Sequence, residues 1–171
     1  VHLTGVNEAT PTITSSAAAS VVENTPSVLT VTATDSDMPA ETLTFGITNS
    51  GADDSLFSID SSTGVLTFSS APDFESPGDA NGDNVYEVEV SVSDGTNTAT
   101  QTVSATVTGT DDNAPVITSS ASASVAENTT AVQTVAATDA DAPGDTLTFG
   151  ITGSGADDAL FDIDSMSGAL T

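Results

Sequence analysis

The chain of 171 residues carries 25 Asp and Glu residues, one His and no Lys or Arg, which gives a formal net charge of −25. Without cationic side chains it cannot neutralise phosphates, so we expect no nucleic-acid partner and no attraction to an anionic membrane surface. The absence of Cys excludes disulfides and, with a single His, disfavours zinc and copper sites. No apolar run approaches the ~20 residues of a membrane span, so we expect no direct membrane insertion.

The predicted elements are all β-strands. In chain order, we predict strands near residues 12–22, 29–34, 43–48, 55–60, 65–69, 86–93 and 98–107. Apolar and polar residues alternate in four of them, 29–34, 43–48, 86–93 and 98–107. Turn-forming sequences separate several of them, at 37–39, 50–54, 62–64 and 94–97. About seven strands in ~100 residues are typical of a Greek-key, immunoglobulin-like β-sandwich. The predicted fold class is therefore all-β.

The sequence repeats itself at a spacing of 104 residues. Residues 11–67 and 115–171 are identical at 40 of 57 positions without a gap. Self-similarity of this kind indicates a tandem array. We therefore predict three segments. Residues 1–10 are the last strand and linker of a preceding repeat, residues 11–114 are a complete repeat, and residues 115–171 are the N-terminal part of the next one.

The acidic residues are concentrated in short motifs at strand ends and in one linker. These motifs contain Glu23, Asp35 and Asp37, Asp73 and Glu75, Asp94, and the linker residues Asp111, Asp112 and Asn113. Two like charges 4 Å apart repel by ~1 kcal/mol even in water. Clustered carboxylates therefore need a cation, and a hard ion with about 6–8 oxygen ligands in flexible geometry, Ca²⁺, suits scattered loops better than Mg²⁺. Turn and capping hydrogen bonds at strand ends are the alternative interpretation.

The set Val-x-Glu-Asn, Asp-x-Asp, Asp-Phe-Glu, Asp-Gly and Asp-Asp-Asn-Ala-Pro, in this order, resembles the cadherin repeat, above all the cadherin-like repeats of large bacterial surface proteins. The resemblance implies a Ca²⁺ site at each junction between repeats. The junction that follows the complete repeat would use Glu23, Asp73, Glu75, Asp111, Asp112, Asn113, Asp139 and Asp141. The junction before residue 11 would use Asp35, Asp37 and Asp94. Two departures from the family's linker stand out: Gly109 replaces an acid and Asp111 replaces an Asn.

One further loop carries oxygen side chains at alternating positions. Asp79, Asn81 and Asp83, with Gly82 for the turn, resemble the start of a calcium loop. The same composition is typical of a solvated turn. An additional Ca²⁺ site here and a simple turn are therefore both open at the level of sequence.

The resemblance predicts a calcium-binding structural repeat of a secreted or cell-surface adhesin, with Ca²⁺ as cofactor and neighbouring repeats of the same chain as partners. Identical chains in a filament or in a homophilic contact are further partners that it allows. A carbohydrate-binding module is the alternative function, with Phe74 as the candidate aromatic contact. Catalysis is not expected, because the chain has no Cys nucleophile, no basic residue to hold a substrate, and its one His lies near a terminus.

Overall fold

The computed structural model describes residues 6–37, 42–141 and 146–171. The chain divides into two compact units, residues 1–110 and residues 111–171. The strand predicted at the start of the chain and part of the turn at 37–39 lie outside the described residues. Neither short helical turn in the described part is long and apolar enough to cross a membrane.

The first unit is built from nine strand segments in its described residues. They are β1 (Thr12–Ile13), β2 (Ala18–Val22), β3 (Ser27–Thr30), β4 (Ala33–Thr34), β5 (Thr44–Ile47), β6 (Phe57–Ile59), β7 (Val65–Phe68), β8 (Val85–Ser93) and β9 (Thr98–Thr108). A single 3-10 turn, Asp54–Leu56, precedes β6. Counting β1 with β2 and β3 with β4 as interrupted strands gives seven, which confirms the all-β prediction.

Two sheets face each other across the core. One has the order β2-β9-β8-β5 and the other the order β3-β7-β6, while β1 pairs with β4. The long hairpin of β8 and β9 is antiparallel from Val85 opposite Thr106 to Ser93 opposite Thr98. By contrast, β2 runs parallel to β9. This parallel pairing puts the C-terminal ends of β2 and β9 at the same edge of the sheet.

Much of the core comes from the apolar residues that alternate along β8 and β9. Among the described residues, twelve hydrophobic side chains are buried, seven of them on β8 and β9: Val21, Val31, Phe57, Leu66, Phe68, Tyr86, Val88, Val90, Val92, Val103, Ala105 and Val107. Burial of each Val from water stabilises the fold by roughly 1.5–3 kcal/mol before entropy costs. The ring of Phe68 stacks on Phe57 at 4.5 Å and meets Tyr86 edge-on at 5.0 Å.

The second unit repeats the first half of this pattern. Its strands are β10 (Val116–Ile117), β11 (Gln133–Thr134), β12 (Ala137–Thr138) and β13 (Ala169–Leu170), with a 3-10 turn at Asp158–Leu160. The pairs β10-β12 and β11-β13 reproduce the pairs β1-β4 and β3-β7. Phe161, which corresponds to buried Phe57, is 44% exposed, and the described residues of this unit include no counterpart of β8 and β9.

Candidate functional site

The first group of acids lies where two parallel strands end. Val22, the last residue of β2, is opposite Thr108, the last residue of β9. Glu23 follows directly, and its N–H donates to the Thr108 carbonyl at 3.0 Å. The next N–H, from Asn24, donates to the carbonyl of Pro72 at 2.9 Å, which holds the loop containing Asp73 at the same edge. Three distant segments of sequence therefore meet here.

Glu23, Asp73 and Glu75 form the Glu23 cluster, in which each residue offers a carboxylate oxygen within 4.8 Å of the others. Glu23 is only 2% exposed. Its Oε2 accepts the N–H of Phe74 at 2.8 Å, and its Oε1 accepts the N–H of Thr110 at 2.6 Å. Backbone donors thus fix one carboxylate of the cluster in a single orientation.

The backbone donors also keep Glu23 charged. The N–H of Phe74 lowers the pKa of Glu23 below its usual value, burial acts against this, and the N–H of Thr110 lowers it further. A buried, ionised carboxylate beside two other carboxylates is stabilised by a nearby cation. The donor set contains only oxygen and is charged. It therefore fits a hard ion such as Ca²⁺.

Gly109 is one of the two linker residues that depart from the pattern of the resemblance, and the structure gives a steric reason for it. A Cβ at Gly109 would lie 2.8 Å from Cδ1 of Phe74. Any side chain here would therefore have to move the Phe74 ring. Phe74, the aromatic candidate of the carbohydrate alternative, is 38% exposed and packs against the linker.

A second group of residues lies at the opposite end of the first unit, where β4 and β8 end. This Asp94 cluster consists of Asn7, Asp35, Asp37, Asp94 and Asn97. Asp37 Oδ2 accepts the N–H groups of Glu8 at 2.9 Å and Ala9 at 2.8 Å, and Asp35 Oδ1 accepts the N–H of Asp37 at 2.9 Å. The other oxygen of Asp35 is buried without a hydrogen-bond partner. Burying a carboxylate oxygen without a partner is energetically costly, and a bound cation would remove this cost.

Asp94 organises the turn that follows β8. Its Oδ1 accepts the N–H groups of Thr96 and Asn97, both at 2.7 Å. Burial raises the pKa of Asp94, but the N–H groups of Asn97 and Thr96, together with the side chains of Asn7 and Asn97, lower the pKa overall. Within the described residues, the carboxylate oxygens of Asp35, Asp37 and Asp94 do not all lie within 4.8 Å of one another, unlike those of the Glu23 cluster.

In the second unit, the linker residues contact the Asp-x-Asp motif. Asp141 accepts the N–H of Asn113 at 2.8 Å and its side-chain amide at 3.0 Å, and the same amide donates to Asp112 at 3.0 Å. Asp139 Oδ1 accepts the N–H of Asp141 at 3.1 Å, and Asp111 lines the same recess as Asp139. The contact of Asp141 with Asn113 repeats that of Asp37 with Ala9.

The side chains of the 79–83 loop are engaged in turn hydrogen bonds. Asp79 Oδ2 accepts the N–H of Asp83 at 2.9 Å, Asp83 Oδ1 accepts the N–H of Val85 at 2.9 Å, and Asn81 donates to Asp83 at 2.9 Å. Burial raises the pKa of Asp79, but several backbone N–H groups, first those of Asp83 and Gly82, together lower the pKa below its usual value. An ion in this loop stays a prediction.

Two buried acids were missed by the sequence reasoning, which treated Asp53 and Asp54 as turn residues. They are 5% and 3% exposed. Asp53 accepts the N–H of Glu87 at 3.0 Å and Asp54 accepts that of Glu89 at 2.9 Å. Strand β5 ends opposite Val90, so these carboxylates continue the pairing of β8 where β5 stops. The identical Gly-Ala-Asp-Asp in both repeats, at 51–54 and 155–158, was the available signal.

Comparison with known families matches the cadherin domain model to residues 17–108. The comparison with curated proteins finds no match. Similar solved structures include mouse cadherin-23 EC22-24 (TM-score 0.70, 25% identity, covering 98% of this chain and 55% of that chain). Human protocadherin-24 EC1-2 form II (0.73, 23%, 95% and 77%) and the protocadherin gammaB7 EC3-6 cis-dimer (0.71, 22%, 97% and 44%) are also similar.

These matches agree with the architecture and give no support to the carbohydrate-binding alternative. Cadherin domains are extracellular adhesion modules rather than enzymes, and they typically bind Ca²⁺. The chain spans only about half of the mouse cadherin-23 structure. Because the family model covers more than half of the sequence and the β-sandwich agrees with it, the chain belongs to the cadherin family.

Proposed function

We propose that this chain is a calcium-binding structural repeat of an extracellular adhesin or matrix filament, in which Ca²⁺ at the junctions between repeats makes the array rigid. The observation that carries the proposal is the Glu23 cluster. It contains a buried, ionised carboxylate fixed by the N–H groups of Phe74 and Thr110. Thr110 directly precedes the acidic linker. The repeat boundaries near residues 11 and 115 and a bacterial surface origin belong to the same proposal.

At the junction after the complete repeat, the ligands would come from three consecutive segments. Glu23, Asp73 and Glu75 belong to the complete repeat, Asp111, Asp112 and Asn113 to the linker, and Asp139 and Asp141 to the following segment. Without an ion, these carboxylates repel one another and the linker is free to bend. With it, one cation ties the segments together. Asp35, Asp37 and Asp94 would serve the preceding junction in the same way.

The partners proposed are the neighbouring repeats of the same chain and, beyond them, identical chains. The protocadherin gammaB7 structure is described as a cis-dimer, so contact between copies is within the repertoire of similar proteins. We propose secretion or display on the cell surface because cadherin domains are extracellular. Extracellular calcium modules have dissociation constants of ~10⁻⁴–10⁻³ M, and we expect values in this range.

The test is Ca²⁺ binding and thermal unfolding of the wild-type chain, Glu23→Gln and the matched control Glu87→Gln. Glu87 is an exposed side chain on β8, so its substitution removes the same charge outside the cluster. At ~10 mM Ca²⁺, an ion with a dissociation constant of ~10⁻⁴–10⁻³ M adds about 1.4–2.7 kcal/mol to the free energy of unfolding. We expect this gain in the wild type and Glu87→Gln, and a weakened gain in Glu23→Gln. Equal gains in all three proteins would refute the assignment of Glu23.

A further inference from the structure

The side-chain nitrogen of Asn97 lies inside a cage of oxygen atoms. Its Nδ2 donates to the Ala9 carbonyl at 2.7 Å and to Asn7 Oδ1 at 3.1 Å, and lies 3.5 Å from Asp94 Oδ2. One oxygen comes from the linker backbone, one from a linker side chain and one from the turn after β8. The nitrogen therefore joins the linker to the body of the repeat.

The orientation of the amide follows from its neighbours. All three are hydrogen-bond acceptors in this contact, so only the NH₂ end of Asn97 is compatible with them and the carbonyl end would be repelled. The backbone of Asn97 is held as well, because its N–H donates to Asp94 Oδ1 and its carbonyl accepts the Ser93 hydroxyl at 3.1 Å. The turn thus aims a partial positive charge at three oxygens in a chain without Lys or Arg.

We infer that the Asn97 amide is an internal substitute for a cation at the Asp94 cluster. It holds linker residues 7–9 on the repeat while Ca²⁺ is absent, and a bound ion displaces it. The exchange is exclusive: Ca²⁺ needs its oxygen ligands at about 2.3–2.6 Å, so the oxygens that surround Nδ2 cannot serve both. The buried, partnerless oxygen of Asp35 is a further ligand that the amide leaves unused.

This inference rests on the proposed function at the same end of the repeat and adds a consequence to it. The ion must break the hydrogen bonds of Asn97 before it binds, so the amide weakens Ca²⁺ affinity while keeping the linker ordered without the ion. The net free energy of each such hydrogen bond corresponds to roughly a twofold to tenfold change in the equilibrium constant for Ca²⁺ binding.

The experiment compares the wild-type chain, Asn97→Ala, Asn97→Asp and the control Thr96→Ala, an exposed residue of the same turn. Backbone NMR signals of Glu8, Ala9 and Thr96 report the linker and the turn during Ca²⁺ titration. In EDTA, we expect the Glu8 and Ala9 amides of Asn97→Ala to exchange with solvent about tenfold faster than in the wild type. We expect Ca²⁺ to bind Asn97→Ala about threefold to tenfold more tightly, and Asn97→Asp more tightly still.

The outcomes separate this inference from the function on which it rests. Weaker Ca²⁺ binding by Asn97→Ala would make Asn97 a ligand and overturn the inference, while the proposed function would stand. Unchanged affinity together with unchanged amide exchange would also overturn the inference alone. If none of the four proteins shows Ca²⁺-dependent shifts at Glu8, Ala9 or Thr96, the proposed function at this end is wrong and the amide–ion exchange falls with it.

Discussion

At the scale of single residues, this chain shows how carboxylates are buried without any cationic side chain. Glu23, Asp53, Asp54, Asp79 and Asp94 are all at most 9% exposed. Each accepts hydrogen bonds from backbone N–H groups, which belong to distant segments for Glu23, Asp53 and Asp54 and to the same turn for Asp79 and Asp94. Hydrogen bonds of this kind favour the charged form and offset the cost of removing the charge from water.

The stability of the ion-free chain therefore depends on pH with a predictable sign. The pKa values of Glu23, Asp79 and Asp94 are lowered from their usual values of 4.5 and 3.8. At a pH near these usual pKa values, the unfolded chain consequently binds more protons than the folded chain. In EDTA, we expect these three carboxylates to make their full contribution to the free energy of unfolding above pH ~5. That contribution should be lost as the pH drops below ~4. Urea unfolding measured across this range checks it, and a constant or rising stability would contradict the assignment.

Asp54 offers a residue-scale test of the carboxylates that continue the pairing of β8. The substitution Asp54→Ala removes the acceptor of the Gly51 and Glu89 N–H groups. A buried donor left without a partner costs about 1–3 kcal/mol, so we expect a loss of ~2 kcal/mol or more in urea unfolding. Glu87→Ala, which removes an exposed acid from β8, should cost less than about 1 kcal/mol. Equal losses would show that Asp54 acts only through its charge.

At the scale of elements, the strands are predictable and their partners are not. Alternation in residues 86–93 and 98–107 predicts the strands β8 and β9, because both strands bury one face. The parallel pairing of β2 with β9 leaves no such local signal, since it joins residues 18 and 104. It is this pairing that brings Glu23 to the linker. The acids of the Glu23 cluster could be named from sequence motifs, but not the backbone donors that fix them.

The same limit explains the residues that sequence reasoning missed. Asp53 and Asp54 read as an ordinary turn, because their partners on β8 lie more than 30 residues away. Asn97 read as part of a turn for the same reason, since Ala9 is 88 residues distant. Composition gives the type of a turn, whereas tertiary contacts decide which turn residues also bind a second segment.

Two glycines with nearly equal positive φ angles provide a matched test of packing between turn and strand. Gly64 and Gly82 have φ values of 72° and 73°. A Cβ at Gly64 would lie 2.2 Å from the carbonyl oxygen of Val31, whereas a Cβ at Gly82 meets nothing within 4 Å. We expect Gly82→Ala to cost the left-handed strain alone, roughly 1–2 kcal/mol. Gly64→Ala should cost clearly more, and chemical unfolding of the two variants measures the difference; equal costs would contradict the close approach.

At the scale of the whole molecule, the repetition of local contacts matters more than any single one. Asp37 accepts the N–H of Ala9 in one repeat and Asp141 accepts that of Asn113 in the other. Each of the two linkers is thus attached to the Asp-x-Asp motif that follows it, and the contacts occur at corresponding positions. In the proposed array, Ca²⁺ would convert these separate attachments into rigid junctions, because a bound cation relieves the repulsion among the acids on both sides.

The most direct test of this account is small-angle X-ray scattering of the chain in ~10 mM Ca²⁺ and in EDTA. This Ca²⁺ concentration lies above the dissociation constants expected of extracellular calcium modules. We predict a larger radius of gyration and maximum dimension in Ca²⁺, since the ion straightens the junction, and a softer, shorter particle in EDTA. Glu23→Gln should reduce this difference and Glu87→Gln should preserve it. Identical scattering of the wild-type chain in the two conditions would contradict the central claim.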